Sequence, residues 1–195
     1  MDVDIIENKR LEEIAQIYNG LRITRHQNNK DAHIQKVLKK INNNENILQT
    51  EQITLSKGID EKFYSKKDDI IIQHTSQINT INIINEDNII IPANYVIIRT
   101  KKQYNPHYIK YIMTSKQFKK VERKLIEGTK LQFIKIPDIK KMKIKIPSPE
   151  KQDKIVQVMK LIDKKNKLEE KKMKTNKKIQ DVILTEQLGE EYVQQ

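Results

Sequence analysis

Apolar side chains follow two rhythms along this chain of 195 residues. Between residues 47 and 99 they come as short Ile-rich runs. Ile53 and Leu55 alternate with polar neighbours, and Asp69–Gln73, Ile78–Ile84, Asn88–Ile91 and Asn94–Arg99 are nearly continuous. Runs of this length predict strands, and the longest, Ile70-Ile71-Ile72 and Ile89-Ile90-Ile91, suit buried ones. Polar joints such as Asn85-Glu86-Asp87 separate them, and Pro92 falls at a joint, where the lack of an N–H costs nothing. Further on, Leu131–Ile136 predicts another strand. Met142, Ile144 and Ile146 alternate strictly with Lys143 and Lys145 and predict one more.

The helical rhythm governs the rest. Leu11, Ile14, Ala15 and Tyr18 share one face of a helix predicted over Lys9–Tyr18 and stopped at Asn19-Gly20. Residues 33–41 place Ile34, Val37, Leu38 and Ile41 so that helix and strand remain open. Asn105-Pro106 supplies an N-cap and a first-turn proline for a helix with Tyr108, Ile109, Ile112 and Met113 as its stripe. A second helix puts Phe118, Val121, Leu125 and Ile126 on one side and ends at Gly128. Ser148-Pro149-Glu150 opens the last element with a cap, a proline and an acid suited to the helix dipole. No Gly or Pro follows up to about Thr185, which allows a helix about 50 Å long at ~1.5 Å per residue. Ile155, Val158, Met159 and Ile162 form a stripe at its start, Ile179, Val182 and Ile183 another near its end, with only Leu168 and Met173 between. A helix with so narrow an apolar stripe needs a second helix to cover it. The pattern predicts an α+β fold in two parts: a mixed α/β domain over residues 1–147 and a long C-terminal helix over 148–195.

Composition sharpens this picture in three places. Gly occurs four times and Cys not at all, which excludes Gly-rich phosphate loops, disulfide scaffolds, thiolate metal sites and Cys nucleophiles. The acidic N-terminus lacks a signal-peptide pattern, and no apolar run approaches the ~20 residues that span a bilayer; the expectation is a soluble, cytoplasmic protein without membrane association. The net charge of +12 is unevenly placed. Residues 1–100 carry 13 Lys+Arg against 14 Asp+Glu, residues 101–145 carry 14 against 3, and residues 146–195 carry 11 against 9. A bias of base composition would spread the surplus along the chain. A basic face concentrated in one stretch is the footprint of a polyanionic partner.

Catalytic chemistry finds no support. His26, His33, His74 and His107 lack metal-ligand spacing. Asn105-Pro106-His107-Tyr108 superficially matches the Asn-Pro-Pro-Tyr loop of adenine methyltransferases, but its third position is not proline and no Gly-rich methyl-donor loop precedes it. It reads better as a helix cap. Glu169-Glu170-Lys171 after Pro137-Asp138 could be forced into a nuclease pattern, yet lies on a charged continuous helix.

The order of phrases is more telling than any one of them. Leu11-Glu12-Glu13-Ile14-Ala15 with Asn19-Gly20, Lys67-Asp68-Asp69-Ile70-Ile71-Ile72, Pro92-Ala93-Asn94-Tyr95-Val96-Ile97-Ile98-Arg99, Asn105-Pro106-His107-Tyr108 and Glu127-Gly128-Thr129 precede a strand ending in Ile146-Pro147-Ser148-Pro149 and then Gln152 and Ile155. Over roughly residues 9–185 this resembles one half of a type I restriction–modification specificity (S) subunit. The resemblance implies a target-recognition domain over 1–147 that reads double-stranded DNA, and a spacer helix over 148–195 that docks partners and pairs as an antiparallel coiled coil. Members with two tandem halves pair their own helices; a single half implies a homodimer, with pairing to another half-subunit and a truncated relic left open.

The resemblance further implies no metal and no cofactor on this chain, S-adenosylmethionine and catalysis belonging to a separate modification (methyltransferase) subunit; a restriction subunit in the complex stays open. It points to base readers in three loops: Arg22, Thr24, Arg25 and His26; Gln73, His74, Ser76 and Gln77; and Thr129 with Gln132. Lys57, Lys116, Lys119, Lys120, Lys130 and Lys135 are the candidate phosphate clamp. The competing expectations are an assembly adaptor that does not read DNA and an orphan DNA-binding protein.

Overall fold

The computed structural model describes residues 6–27, 31–42, 47–73, 81–126 and 134–188. They form an α+β protein with a long C-terminal helix, and two compact units divide it at residues 1–153 and 154–195. The first unit is built on a four-stranded antiparallel sheet in the order β2-β7-β5-β6, where β2 is Ala15–Asn19, β5 Ile70–Gln73, β6 Ile81–Ile83 and β7 Tyr95–Thr100. Ile70, Ile71, Ile72 and Tyr95 to Ile98 are all buried. Both faces of the central strands β5 and β7 are therefore covered, which is why these two read as continuous apolar runs rather than alternating ones.

One face carries Ile71, Tyr95 and Ile97, with Tyr18 packed alongside, and meets Leu38, Ile41, Ile84, Ile89 and Ile91. On the other face Ile72 and Ile81 line a narrow gap with Met113, Phe118, Ile134, Ile139 and Met142. Those residues come from or adjoin three helices, α2 (Pro106–Thr114), α3 (Lys116–Ile126) and α4 (Ile136–Lys141). Two two-stranded pairs complete the unit: β1 (Glu7–Arg10) with β8 (Lys143–Ile146), and the ribbon β3 (Ala32–Asn42) with β4 (Ile47–Ser56). Residues 33–41 thus resolve as strand.

Four sequence expectations are corrected. Lys9–Tyr18 is not one helix but the end of β1, a single helical turn α1 (Leu11–Ile14) and most of β2. Leu11 N donates to Met142 O at 3.0 Å, and Ala15 to Asn19 pair with Thr100 to Val96. Partners more than 75 residues away override a helical period that is locally valid. Asn88–Ile91 is not a strand; it threads between elements through single bridges from Ile90 to Val37 and Tyr64. Ile136 starts α4 rather than ending a strand, because Pro137 sits in the first turn, where its fixed φ suits a helix; residues 131–133 lie outside the described residues. On α3, Phe118 is buried while Val121 and Leu125 are 49% and 39% exposed, so these two of the predicted stripe do not face the core; the Ile126 side chain lies outside the described residues. The ends of Glu127-Gly128 lie outside the described residues.

Gly20 has a packing reason. A Cβ there would stand 2.3 Å from both Ile91 O and Pro92 O, where Leu21 N bonds Ile91 O and Ala93 N bonds Leu21 O. Two backbone segments cross at a separation only glycine permits.

Helix α5 runs Pro149–Leu188. Among its apolar residues Val158, Ile162, Leu168, Met173, Ile179, Val182 and Ile183 are exposed, and Ile155 and Met159 are half-buried.

Candidate nucleic-acid interface

The first predicted group is held by the base of the β3–β4 ribbon. Ile23–Arg25 form one turn of 3-10 helix. His26 closes it and is tied to the end of β4 twice: Ser56 N donates to His26 O at 2.8 Å, and His26 Nδ1 lies 3.0 Å from Ser56 Oγ. Arg22, Thr24 and Arg25 are exposed beside this joint, and Lys57 follows Ser56 directly, also exposed. Residues 35 apart in sequence are thus assembled into one small cationic and polar surface. Its floor is the cluster of Leu21, Val37, Leu55, Ile59 and Ile90, against which Ile23 packs.

The second group is on α3. Phe118 points into the gap lined by Met113, Ile134 and Ile139, so the opposite side of the helix faces solvent with Lys116, Lys119 and Lys120, all exposed. Arg123 and Lys124 extend the same charge. Ser115 caps the helix, its Oγ accepting from Phe118 N at 3.2 Å. Lys135 is the exposed N-cap of α4, next to Ile134 in the same gap, and so joins this group. Gln73 ends β5 opposite Tyr95 and is half-buried. His74, Ser76, Gln77, Thr129, Lys130 and Gln132 lie outside the described residues. The two groups rest on different apolar clusters, and no hydrogen bond or ion pair among the described residues links them.

Behind these surfaces lies a buried polar lock that residue patterns did not single out. Asp69 is 1% exposed. Arg99 Nε and Nη2 donate to its two carboxylate oxygens at 2.9 and 2.7 Å, and Nη2 also donates to Tyr64 O at 2.8 Å. Lys66 N donates to Asp69 Oδ2 at 2.8 Å. Burial works against the Arg99 charge, but the hydrogen bonds and charge of Asp69 outweigh it, so the guanidinium is held more firmly protonated than in water. The lock joins β7 to the turn before β5, where Asp68 adopts φ +71°. Tyr18 lies with its ring 5.9 Å from the guanidinium, its buried hydroxyl unpaired; burial pushes that hydroxyl up to about 12. Asp69 and Arg99 both stand in the phrases Lys67–Ile72 and Pro92–Arg99, but nothing local says that they meet.

Gln152, 1% exposed, was noticed only as part of a phrase, and its chemistry is now plain. Its Oε1 accepts from Asn105 N at 3.0 Å and its Nε2 donates to Pro147 O at 2.9 Å. Asn105 in turn caps α2 through His107 N and Tyr108 N, and donates from Nδ2 to Asp153 Oδ1 at 2.7 Å. One side chain therefore bolts the start of α2, the end of β8 and the first turn of α5 together. Asn105-Pro106-His107-Tyr108 is a helix cap in this structure.

Among the described residues there is no cluster of three metal-ligating side chains and no helix long and apolar enough to cross a membrane. The described residues thus form a mixed α+β body with exposed cationic surfaces and a long C-terminal helix. The sequence matches the family model of the type I restriction modification DNA specificity domain over residues 4–178, and the chain belongs to that family. No curated protein matches it in sequence. The fold is shared with solved structures of low identity. The HsdS subunit from Thermoanaerobacter tengcongensis is 14% identical with a TM-score of 0.58, over 82% of this chain and 38% of that one. The type I restriction–modification S subunit from M. genitalium is 15% identical at 0.58, over 98% and 48%. A chain from a structure of type I R-M system assembly and conformational transition is 13% identical at 0.69, over 96% and 46%. The chain thus spans less than half the length of each of these proteins.

Proposed function

We propose that this chain is the DNA sequence-recognition subunit of a type I restriction–modification complex, a non-catalytic protein that directs a methyltransferase subunit to its site. The specificity-domain match over residues 4–178 carries the proposal. The exposed lysines of α3 support it, because cations held on one solvent face release condensed counterions when they meet phosphates. Residues 1–147 read the duplex. Arg22, Thr24, Arg25 and His26, with Gln73, His74, Ser76, Gln77, Thr129 and Gln132, approach base edges. Lys57, Lys116, Lys119, Lys120, Lys130 and Lys135 hold the backbone.

Residues 148–195 supply the pairing helix. Its exposed stripe of Val158, Ile162, Leu168, Met173, Ile179, Val182 and Ile183, with Ile155 and Met159, is covered by the antiparallel helix of a second copy. A homodimer would then present two identical readers to two half-sites. The methyl donor, S-adenosylmethionine, is bound by the partner subunit.

The test is an electrophoretic shift over a salt series. Duplex binding should weaken steeply with salt, and Lys116→Ala, Lys119→Ala and Lys120→Ala together should lower the slope of log K against log salt by up to roughly three, at about 0.9 per phosphate contact. An unchanged affinity and slope would remove α3 from the interface. An assembly adaptor would show no shift with or without a modification subunit.

A further inference from the structure

We infer that the outer face of the β3–β4 ribbon is itself a base-reading surface, with Ile34, Gln52 and Thr54 entering the DNA major groove. The inference rests on the DNA-recognition function proposed above and assigns part of its specificity to residues outside the three loops.

The strand register places the surface. Ile34 lies opposite Thr54, and Lys36 opposite Gln52, on the same side as Ser56; Val37 and Leu55 lie on the other side, in the core. All four outward residues are exposed, and Ile34 at 67% is more exposed than the core-facing residues of its own strand by a wide margin. Lys36 is already paired with Glu86. The side chains of Gln52 and Thr54 have no hydrogen-bond partner among the described residues. An exposed patch made of one branched aliphatic, one amide and one hydroxyl gains little from burial, since all three face solvent.

Three further observations choose its occupant. The patch stands next to the cationic joint already described: exposed Thr54 is two residues before Ser56, which is buried and bonded to His26, and exposed Lys57 follows. Residues 21–57 carry 7 Lys+Arg against 3 Asp+Glu, within a first hundred residues that total 13 against 14. Among the described residues of this stretch Arg22, Arg25, Lys36, Lys39, Lys40 and Lys57 stand against Asp31 and Glu51; Lys36 is paired with Glu86 and Lys39 with Glu51, and the remaining cations of the ribbon and its base are complementary to a polyanion. The shape also fits: two strands about 4.8 Å apart enter a major groove about 12 Å wide. In that groove a glutamine amide matches the N6/N7 edge of adenine, and an aliphatic group or a threonine methyl matches the methyl of thymine. Arg22, Arg25 and Lys57 at the base would then stand over the flanking phosphates.

The experiment is selection of bound sites from a randomised duplex pool, using the full chain purified by a tag from its own host with the subunits that accompany it. Wild type should select a defined sequence. Gln52→Ala and Ile34→Ser should each lose roughly five- to hundred-fold of the discrimination at one or two adjacent base pairs, the range of a single base contact. Affinity for random duplex and its salt slope should stay the same. Gln52→Glu should move the preference at its position from adenine toward cytosine, because a carboxylate accepts from the cytosine amino group; a residue needed only for folding would not exchange one base for another. Variants that select the wild-type sequence overturn the ribbon assignment and leave the proposed function standing. Variants that keep the selected sequence but shed the accompanying subunits overturn it in favour of a protein interface. A wild-type chain that selects no sequence overturns both.

Discussion

Isoleucine meets opposite fates in the two units of this protein. In residues 1–153, Ile70, Ile71, Ile89, Ile90, Ile91, Ile97 and Ile98 are wholly buried, whereas in residues 154–195 Ile162, Ile179 and Ile183 are exposed at 43%, 52% and 52%. The difference lies in where backbone hydrogen bonds find partners. A strand cannot satisfy itself, so the sheet forms only when Ile70 to Gln73 meet Ile98 to Tyr95 and the apolar side chains come along with it. A helix satisfies its backbone locally and therefore forms before its side chains have anywhere to go. Its surface pairs, Lys165–Glu169 and Glu170–Lys174, add only about 0.2–0.5 kcal/mol each. The sheet of the first unit buries its isoleucines, and the helix of the second leaves most of its apolar stripe exposed.

The sharpest way to break this comparison is to attack the self-contained unit at its lock. Asp69→Ala leaves the Arg99 guanidinium partly buried without its carboxylate and should cost about 3–5 kcal/mol in urea unfolding; a loss below ~1 kcal/mol would mean that the lock is ornamental. Next comes one truncation made in both units. Ile97→Ala should destabilise by about 2–5 kcal/mol. Ile183→Ala should leave the unfolding of the first unit within ~0.5 kcal/mol of wild type and instead lower self-association in sedimentation. Equal effects would erase the distinction between the units.

Gly20→Ala should cost about 1–3 kcal/mol, because two carbonyl oxygens must retreat from the new methyl group. The smallest effect belongs to Tyr18. Its hydroxyl is buried without a partner, so Tyr18→Phe should change stability by no more than about 1 kcal/mol near neutral pH. Its folded value near 12 stands above the ordinary 10. The folded state therefore keeps a proton that the unfolded state gives up, a contribution complete below pH 10 and lost as pH rises toward 12. Thermal melts of wild type between those limits should fall more steeply than those of Tyr18→Phe.

Elements closed by local chemistry were legible in advance. Asn105-Pro106 and Ser148-Pro149 mark the starts of α2 and α5 because a cap and a first-turn proline act within four residues. The alternation of Lys143 to Ile146 showed which side of β8 is buried. The segment from Lys9 to Tyr18 misled for the converse reason: its helical spacing is real, and it lost to strand partners near residues 100 and 145. Of the candidate interface, the lysines of α3 could be picked out by their density. The closure of Arg25 and His26 onto Ser56 and Lys57 could not, because no local pattern marks a bond between residues 30 apart.

The sequence by itself determined the family, the α+β composition, the length of the terminal helix and the stretch where the charge surplus lies, all of which depend on residue order over short distances or on simple counting. Only the tertiary structure decided which polar groups are buried together and which are left outward: that Asp69 clasps Arg99, that Gln152 bolts three elements, and that Ile34, Gln52 and Thr54 look away from the core. Those facts hang on contacts between residues far apart in sequence, and on the ribbon a shift of one residue in register would turn Ile34, Gln52 and Thr54 to the other face.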